Sequence, residues 1–300
     1  MKSFFIICLL LASTQCAWYD FWSTHKKSKK VEPKVEPVKT DTAQLLANPD
    51  WELINVYRRP ELGFTQGLSM YKGMILESCG NYGETKIQFL KLNEAQKTVE
   101  TKKSFEFSPD NFGEGSAIIP VNGVPKAFML TWLQKIAYRL DENLNGVETQ
   151  IQMPEIIREG WGMTVCPEKP STLYVSDGTD RIYECDSNNN LKVTATRQIK
   201  DPRGWYFSQM NELEVARGHL WANIYMTNDI VKIDLQTNTV VKRIDLSGLQ
   251  TYAAQQMVQY FGRTLGFGEV LNGIAYNEAK DTFYITGKHW PAIYELKINV

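Results

Sequence analysis

The stretch Phe112-Gly-Glu-Gly-Ser116 recurs in related form four more times along the chain, and this repetition decides the fold. Most copies place Gly beside an amide, a carboxylate or an aromatic residue. The centres of successive copies, from Gln66 onward, are 48, 47, 50 and 61 residues apart. The other four copies are Phe64-Thr-Gln-Gly-Leu68, Glu159-Gly-Trp-Gly-Met163, Met210-Asn-Glu-Leu-Glu214 and Val270-Leu-Asn-Gly-Ile274.

Two β-rich runs follow each motif; in the first copy they are Met74-Ile-Leu-Glu77 and Ile87-Gln-Phe-Leu90. An all-β pattern with a period of about 50 residues predicts a propeller with one four-stranded blade per repeat. We therefore expect residues 51–300 to form a five-bladed β-propeller. The alternating run Trp51–Tyr57 predicts a strand that completes the last blade and joins the chain ends. The one helical passage, 248–260, predicts a short insertion between blades four and five.

The amino-terminal 50 residues have a different composition. Residues 1–17 combine Lys2, an apolar stretch and a small-residue region, which predicts a signal peptide. This apolar stretch is too short to cross a bilayer. Residues 18–50 are rich in Lys and Pro and predict an extended linker. We therefore expect a secreted protein, or one in the lumen of the secretory pathway.

Charge and cysteine content limit the classes of partner and fold. With 33 Lys and Arg against 34 Asp and Glu, the chain lacks the basic excess that binding to nucleic acid needs. No later segment predicts a membrane span, and we expect a monomer.

Cys79, Cys166 and Cys185 follow the predicted signal peptide. Cys166 and Cys185 would flank a third strand, roughly 10 Å apart, which is too far for a disulfide. The sequence predicts mostly free, buried thiols.

The motifs for several common chemistries are absent from the sequence. Only three His occur, and no HExxH or CxxC pattern that would suggest a zinc site is present. There is no GxSxG nucleophile motif and no glycine loop of the kind that binds phosphate. An enzyme with this sequence would use carboxylate, amide, lysine and aromatic groups.

Propeller geometry predicts that such groups meet at the central axis. The opening motifs should form or adjoin the innermost strands, and the ends of the first β-rich runs should lie near the same mouth. The alternative is that these residues make turns, caps and hydrogen bonds between blades. The first set is Gln66, Glu114, Trp161, Asn211, Glu212 and Asn272; the second is Glu77, Thr131-Trp132, Ser176-Asp177, Asn223 and Thr286-Gly-Lys288.

Seven strings occur in the same order across the repeats: Phe64-Thr-Gln-Gly-Leu68, Phe112-Gly-Glu-Gly115, Leu130-Thr-Trp132, Glu159-Gly-Trp-Gly162, Asn211-Glu-Leu-Glu214, Val270-Leu-Asn-Gly-Ile-Ala-Tyr276 and Thr286-Gly-Lys-His-Trp-Pro291. Together they resemble the plant-type glutaminyl-peptide cyclotransferases, also called glutaminyl cyclases. The resemblance covers about residues 52–298 and all five repeats. It implies a five-bladed propeller that converts amino-terminal glutamine to pyroglutamate with release of ammonia, without catalytic zinc.

The resemblance also assigns roles to single residues. It implies that Glu114 is the acid and base that transfers the proton. It implies that Asn211 and Lys288 stabilise the oxyanion as amide and cationic donors. Gln66 would orient the substrate amide. Aromatic residues would enclose the glutamine side chain and exclude water; they are Phe64, Phe112, Trp132, Trp161 and Tyr225.

Tyr225 marks a departure from the family pattern. Where the family usually has Asn-Val-Trp before Thr-Asp, this chain has Asn223-Ile-Tyr225 and then Thr227-Asn228. The tyrosine keeps an aromatic face but adds a hydroxyl group, so substrate preference or rate can differ.

Two other functions are compatible with the sequence. One is a peptide-binding propeller without turnover, against which the presence of Glu114 argues. The other is a calcium-dependent propeller lactonase or esterase, which needs carboxylate and amide ligands at the axis. For the cyclotransferase we expect no required cofactor, although the sequence allows a structural calcium ion in the channel.

Overall fold

The computed structural model describes residues 42–300. The predicted signal peptide and most of the predicted linker lie outside the described residues. The described part is all-β and propeller-like, with twenty strands and two α-helices. No helix among residues 42–300 has the length and apolar character needed to cross a membrane.

Three of the sheets are four-stranded antiparallel meanders in which strand order follows chain order. The first contains β6 (Gly113–Val121), β7 (Val124–Thr131), β8 (Ile136–Asp141) and β9 (Val147–Gln152). The second contains β10 (Met163–Val165), β11 (Thr172–Ser176), β12 (Arg181–Asp186) and β13 (Lys192–Gln198). The third contains β14 (Met210–Ala216), β15 (His219–Ile224), β16 (Asp229–Asp234) and β17 (Thr239–Asp245).

The remaining eight strands form one sheet in the order β18-β19-β20-β1-β5-β4-β3-β2. Two antiparallel sets of four meet in it at a single parallel pair, Arg58 with Thr98. One set contains β2 (Thr65–Tyr71), β3 (Met74–Cys79), β4 (Lys86–Asn93) and β5 (Thr98–Glu106). The other contains β18 (Leu271–Asn277), β19 (Thr282–Gly287), β20 (Ala292–Ile298) and β1 (Trp51–Arg58).

Strand β1 joins the two ends of the described chain. It pairs antiparallel with β20, from Trp51 opposite Ile298 to Arg58 opposite Ala292. The prediction that the run beginning at Trp51 completes the sheet formed by the last strands is therefore confirmed. This pairing leaves β20 without a free edge, which is where sheets otherwise associate with other chains.

The first strand of each set of four contacts the next one in a closed cycle, in the order β2, β6, β10, β14, β18 and again β2. Polar side chains connect these strands across the centre. The carboxylate of Glu212 on β14 accepts hydrogen bonds from the backbone N–H of Leu68 and of Ile274, at 3.1 and 2.8 Å. Because these two residues lie on β2 and β18, one side chain joins three of the central strands.

The hydrophobic core lies between the faces of neighbouring sheets. One cluster, for example, combines Phe128 and Leu130 of β7 with Leu173 and Val175 of β11. Alternation along each strand puts one set of side chains on each face, and adjoining sheets bury both faces. The described thiols of Cys79, Cys166 and Cys185 are free and buried, which confirms the prediction.

The two α-helices of the described residues lie outside the sheets. Helix α1 (Thr42–Leu45) falls within the predicted linker, and helix α2 (Ser247–Phe261) lies between β17 and β18. Residues 42–50 pack on the folded body: the carbonyl oxygen of Leu45 contacts Gly248 closely, and Asp50 forms an ion pair with Lys242. The final residues of the predicted linker thus have a defined structure, because Leu46 and Trp51 pack into the core beside α2.

Candidate active site

The repeated motifs coincide with irregularities in the central strands. The pairing register shifts within each of β2, β6, β14 and β18, at the motif itself. A bulge leaves a residue outside the ladder and changes the direction of its side chain. The residues that lie within these four shifts include Gln66, Glu114, Asn211 and Asn272.

Glycines in the motifs allow neighbouring central strands to approach closely. A Cβ atom at Gly115 would lie 2.4 Å from the backbone nitrogen of Met163, and one at Gly162 would lie 2.0 Å from the carbonyl oxygen of Asn211. No side chain fits at either distance. The glycines therefore bring the motifs of successive sheets into contact.

Glu114 is a buried carboxyl held by a chain of amides. Its Oε1 accepts a hydrogen bond from Nε2 of Gln66 at 3.0 Å, and Oε1 of Gln66 accepts one from Nδ2 of Asn272 at 3.0 Å. Burial raises the pKa of Glu114 well above its usual range; Lys288 opposes this shift, and Glu159 adds to it. Gln66, predicted to orient the substrate, thus orients Glu114 in this structure.

Lys288 lies directly after β19 and is only 4% exposed. Its Nζ is 5.1 Å from the ring centroid of Phe64 and 4.9 Å from that of Tyr225. Burial lowers the pKa of Lys288 to about 8, and Glu114 partly offsets this effect. No salt bridge within residues 42–300 includes Lys288, so its ammonium group is held by aromatic faces and by the field of Glu114.

The predicted aromatic residues form two connected groups. Phe64 contacts Phe112 edge-to-face, with centroids 6.0 Å apart, and Phe112 contacts Trp132 at 5.4 Å. Trp161 contacts Tyr225 at 5.5 Å. Because Lys288 lies against both Phe64 and Tyr225, it connects the two groups.

Asn211 lies next to the second aromatic group, because its backbone packs on Gly162, the neighbour of Trp161. Its side chain is not engaged by the described protein. Oδ1 is buried and unpaired, and Nδ2 makes no hydrogen bond within residues 42–300. Buried amides are normally paired, so Asn211 is a free polar group that a ligand can use. The structure therefore brings all nine predicted site residues together.

The predicted second set of polar residues mostly has structural contacts. Glu77 was expected at the mouth, but both of its oxygens accept hydrogen bonds from Arg59 at 2.7 Å. Ser176 donates to the carbonyl oxygen of Asn211, and Asn223 accepts from the backbone N–H of Gly273. These residues connect neighbouring strands, as the alternative interpretation in the sequence analysis proposed.

Two residues of the site had no predicted role: Asn272 was expected at the axis without an assigned contact, and Glu159 was noted only as part of a motif. Asn272 supports Gln66, and Glu159 accepts hydrogen bonds from the indole nitrogens of both Trp132 and Trp161, at 2.6 and 2.9 Å. Both residues belong to the repeated motifs. Their position within a motif was the available signal, but a motif alone does not say which neighbour a side chain contacts.

Among residues 42–300 no group of three or more His, Cys, Asp or Glu side chains could hold a metal ion. The described residues therefore offer no carboxylate-rich ligand set for the structural calcium ion that the sequence allows. That ion stays a prediction.

Comparison with known proteins agrees with this geometry. The family model for glutamine cyclotransferase matches residues 30–298. A glutaminyl-peptide cyclotransferase of Arabidopsis thaliana is 29% identical over 239 residues, which are 79% of this chain and 67% of the relative. The crystal structure of Myxococcus xanthus glutaminyl cyclase matches with 27% identity and a TM-score of 0.68, over 83% of this chain and 97% of that one. The chain therefore belongs to the glutamine cyclotransferase family.

Proposed function

We propose that this chain is a glutaminyl-peptide cyclotransferase that converts the amino-terminal glutamine of peptides or proteins to pyroglutamate. The observation that carries the proposal is Glu114: a buried carboxyl of raised pKa, facing Lys288 inside an aromatic enclosure. Family membership supports the same reaction class.

The reaction forms a bond between the substrate's α-nitrogen and its own γ-carbonyl carbon, and it breaks the bond to the side-chain amide nitrogen. The attacking amine must lose a proton, and the departing nitrogen must gain one before it leaves as ammonia. A single carboxyl can accept the first proton and deliver the second. The raised pKa of Glu114 brings its proton affinity closer to that of the substrate nitrogens with which it exchanges the proton.

Negative charge develops on the γ-carbonyl oxygen as the ring closes. In our proposal Lys288 and the side-chain nitrogen of Asn211, an amide whose oxygen is buried and unpaired, donate to this oxygen. Gln66 orients Glu114 and has a second N–H for the substrate. Trp132, Trp161 and the other aromatic residues hold the short side chain in a ring-closing conformation and exclude water.

We further propose that the twenty strands form five blades, with α2 as an insertion between blades four and five. Each set of four consecutive strands would be one blade, and β1 would complete the last. The cyclic contacts of the first strands support this division. Monomeric state, secretion and independence from a cofactor also remain proposals, which sedimentation, amino-terminal sequencing of exported protein and assay with a chelator would test.

The direct test is mass spectrometry of a peptide that begins with Gln, incubated with the protein. Loss of one ammonia at a rate well above that in buffer is expected, unchanged by a chelator. Binding of the peptide without ammonia release would instead support a binding module. Ester hydrolysis that stops with a chelator would support the calcium-dependent alternative.

The substitution Glu114→Gln tests the assigned proton transfer. It keeps the size of the side chain but removes the titratable group, so we expect kcat to fall by about 100- to 10,000-fold. The exposed Glu278 provides the matched control, Glu278→Gln. Undiminished kcat in a folded Glu114→Gln protein would remove Glu114 from this role.

A further inference from the structure

Glu159 lies where two tryptophans from different sheets meet. Trp132 follows β7, and Trp161 precedes β10. Both indole nitrogens donate to the same atom, Oε2 of Glu159, at 2.6 and 2.9 Å. One oxygen therefore connects both tryptophans of the aromatic enclosure.

These two hydrogen bonds are directional contacts that restrain the orientation of the two rings. An indole has a single donor, its N–H, and its other ring contacts are apolar and weakly directional. Trp132 otherwise meets Phe112 at 60° between ring planes, and Trp161 meets Tyr225 at 70°. An ionised acceptor gives shorter and stronger hydrogen bonds than a neutral one. Loss of the acceptor would thus remove the directional hydrogen bond that each indole makes.

The charge of Glu159 also reaches the proton-transferring group. Among the causes of the raised pKa of Glu114, Glu159 is the carboxylate that increases the shift, while Lys288 decreases it. Removal of the charge at residue 159 should therefore lower the pKa of Glu114. This effect depends on charge alone, whereas the effect on the indoles depends on an acceptor atom.

We propose that Glu159 is a positioning residue for cyclisation, which acts through Trp132 and Trp161 by holding both indoles on one carboxylate oxygen. This inference rests on the proposed function. Glu159 would thus set the shape of the substrate enclosure through its contacts with the two tryptophans.

Glu159→Gln and Glu159→Ala separate the two effects. The amide oxygen of Gln can still accept from an indole, so we expect kcat/KM to fall by at most about tenfold, the cost of neutral in place of charge-assisted bonds. Ala has no acceptor, and the misplaced rings should lower kcat/KM by about 100-fold, largely through KM. In both variants the acidic limb of the pH profile of kcat should move to lower pH. The exposed Glu155 of the same loop is the control, as Glu155→Ala.

Nuclear magnetic resonance provides a readout that does not need activity. The indole N–H signals, assigned with Trp132→Phe and Trp161→Phe, should both move in Glu159→Gln, while the other indole signals stay in place. This measurement also decides the matter if Glu159→Ala does not fold.

Two results would overturn the proposal: unmoved signals of both indoles in Glu159→Gln, or equal kcat/KM in the Gln and Ala variants. Failure of the wild-type protein to form pyroglutamate is distinct, because it refutes the proposed function while the indole signals still report the geometry.

Discussion

Replacement of Lys288 by Met should make the protein more stable and nearly inactive. Lys288 is 4% exposed and has no carboxylate partner in a salt bridge within the described chain. Burial lowers its pKa from 10.5 to about 8. Each tenfold change in proton affinity corresponds to about 1.4 kcal/mol, so the buried charge costs the folded state about 3 kcal/mol.

The sign of the pH dependence follows from the two pKa values. Below about pH 8 the lysine is protonated in both the folded and the unfolded chain, and the full cost is present. Between about 8 and 10.5 the unfolded chain binds more protons than the folded one, so stability rises with pH through this range. Above 10.5 the side chain is neutral in both states and the cost has disappeared.

The assay is urea unfolding followed by tryptophan fluorescence, at several values between about pH 7 and about pH 10. We expect Lys288→Met to gain about 3 kcal/mol in unfolding free energy at pH 7 and to lose this advantage as the pH rises. Turnover at pH 7 should fall by about 100- to 1,000-fold, because the proposed cationic donor to the oxyanion is lost. The exposed Lys297 serves as the control, as Lys297→Met.

Two outcomes would refute this reasoning. A Lys288→Met protein less stable than wild type at pH 7 would mean that the buried charge stabilises the fold. A gain that stays constant from pH 7 to pH 10 would mean that methionine packing, and not removal of the charge, is its source. Unchanged turnover would separately remove Lys288 from the oxyanion role.

Two other substitutions give testable results. Tyr225→Trp should raise the pKa of Lys288 above about 8 and so move the alkaline limb of the pH profile of kcat to higher pH. The ring centroid of Tyr225 lies 4.9 Å from Nζ of Lys288, and Trp interacts more strongly with a cation than Tyr does. A pH profile that does not move, or that moves to lower pH, contradicts this. Trp51→Ala should cost about 3–5 kcal/mol in urea unfolding, because Trp51 is 2% exposed where β1 joins β20. Its neighbour Glu52 is exposed and provides the control Glu52→Ala. If Trp51→Ala lowers the unfolding free energy no more than this control does, the pairing of β1 with β20 does not depend on Trp51.

Much of the secondary structure and its order could be predicted from local pattern. The runs that end at Glu77, Thr131 and Ser176 lie on β3, β7 and β11, and the alternating run at Trp51 forms β1. Alternation of polar and apolar residues is a local property, so it can be read without tertiary information. Residues 42–50 were harder to predict, because they fold only where α2 and β17 offer a surface.

The candidate site, too, could be predicted from the sequence only in part. The motifs around Glu114 and Lys288 predicted which residue types converge, since repetition places equivalent positions at equivalent points of each sheet. Repetition does not distinguish Glu77 from Glu114, because both are buried carboxyl groups near a strand end. Arg59 forms a salt bridge with Glu77, whereas no arginine within residues 42–300 pairs with Glu114.

The sequence by itself determined the order of strands, the recurrence of the polar motifs and the family, because each depends on residues that are neighbours in the chain. Only the tertiary structure decided which buried carboxyl forms no salt bridge within the described residues, which amide orients it, and which oxygen accepts hydrogen bonds from two indoles. Those properties arise from desolvation and from hydrogen bonds between residues tens to hundreds of positions apart, such as Gln66 with Asn272 and Trp132 with Glu159.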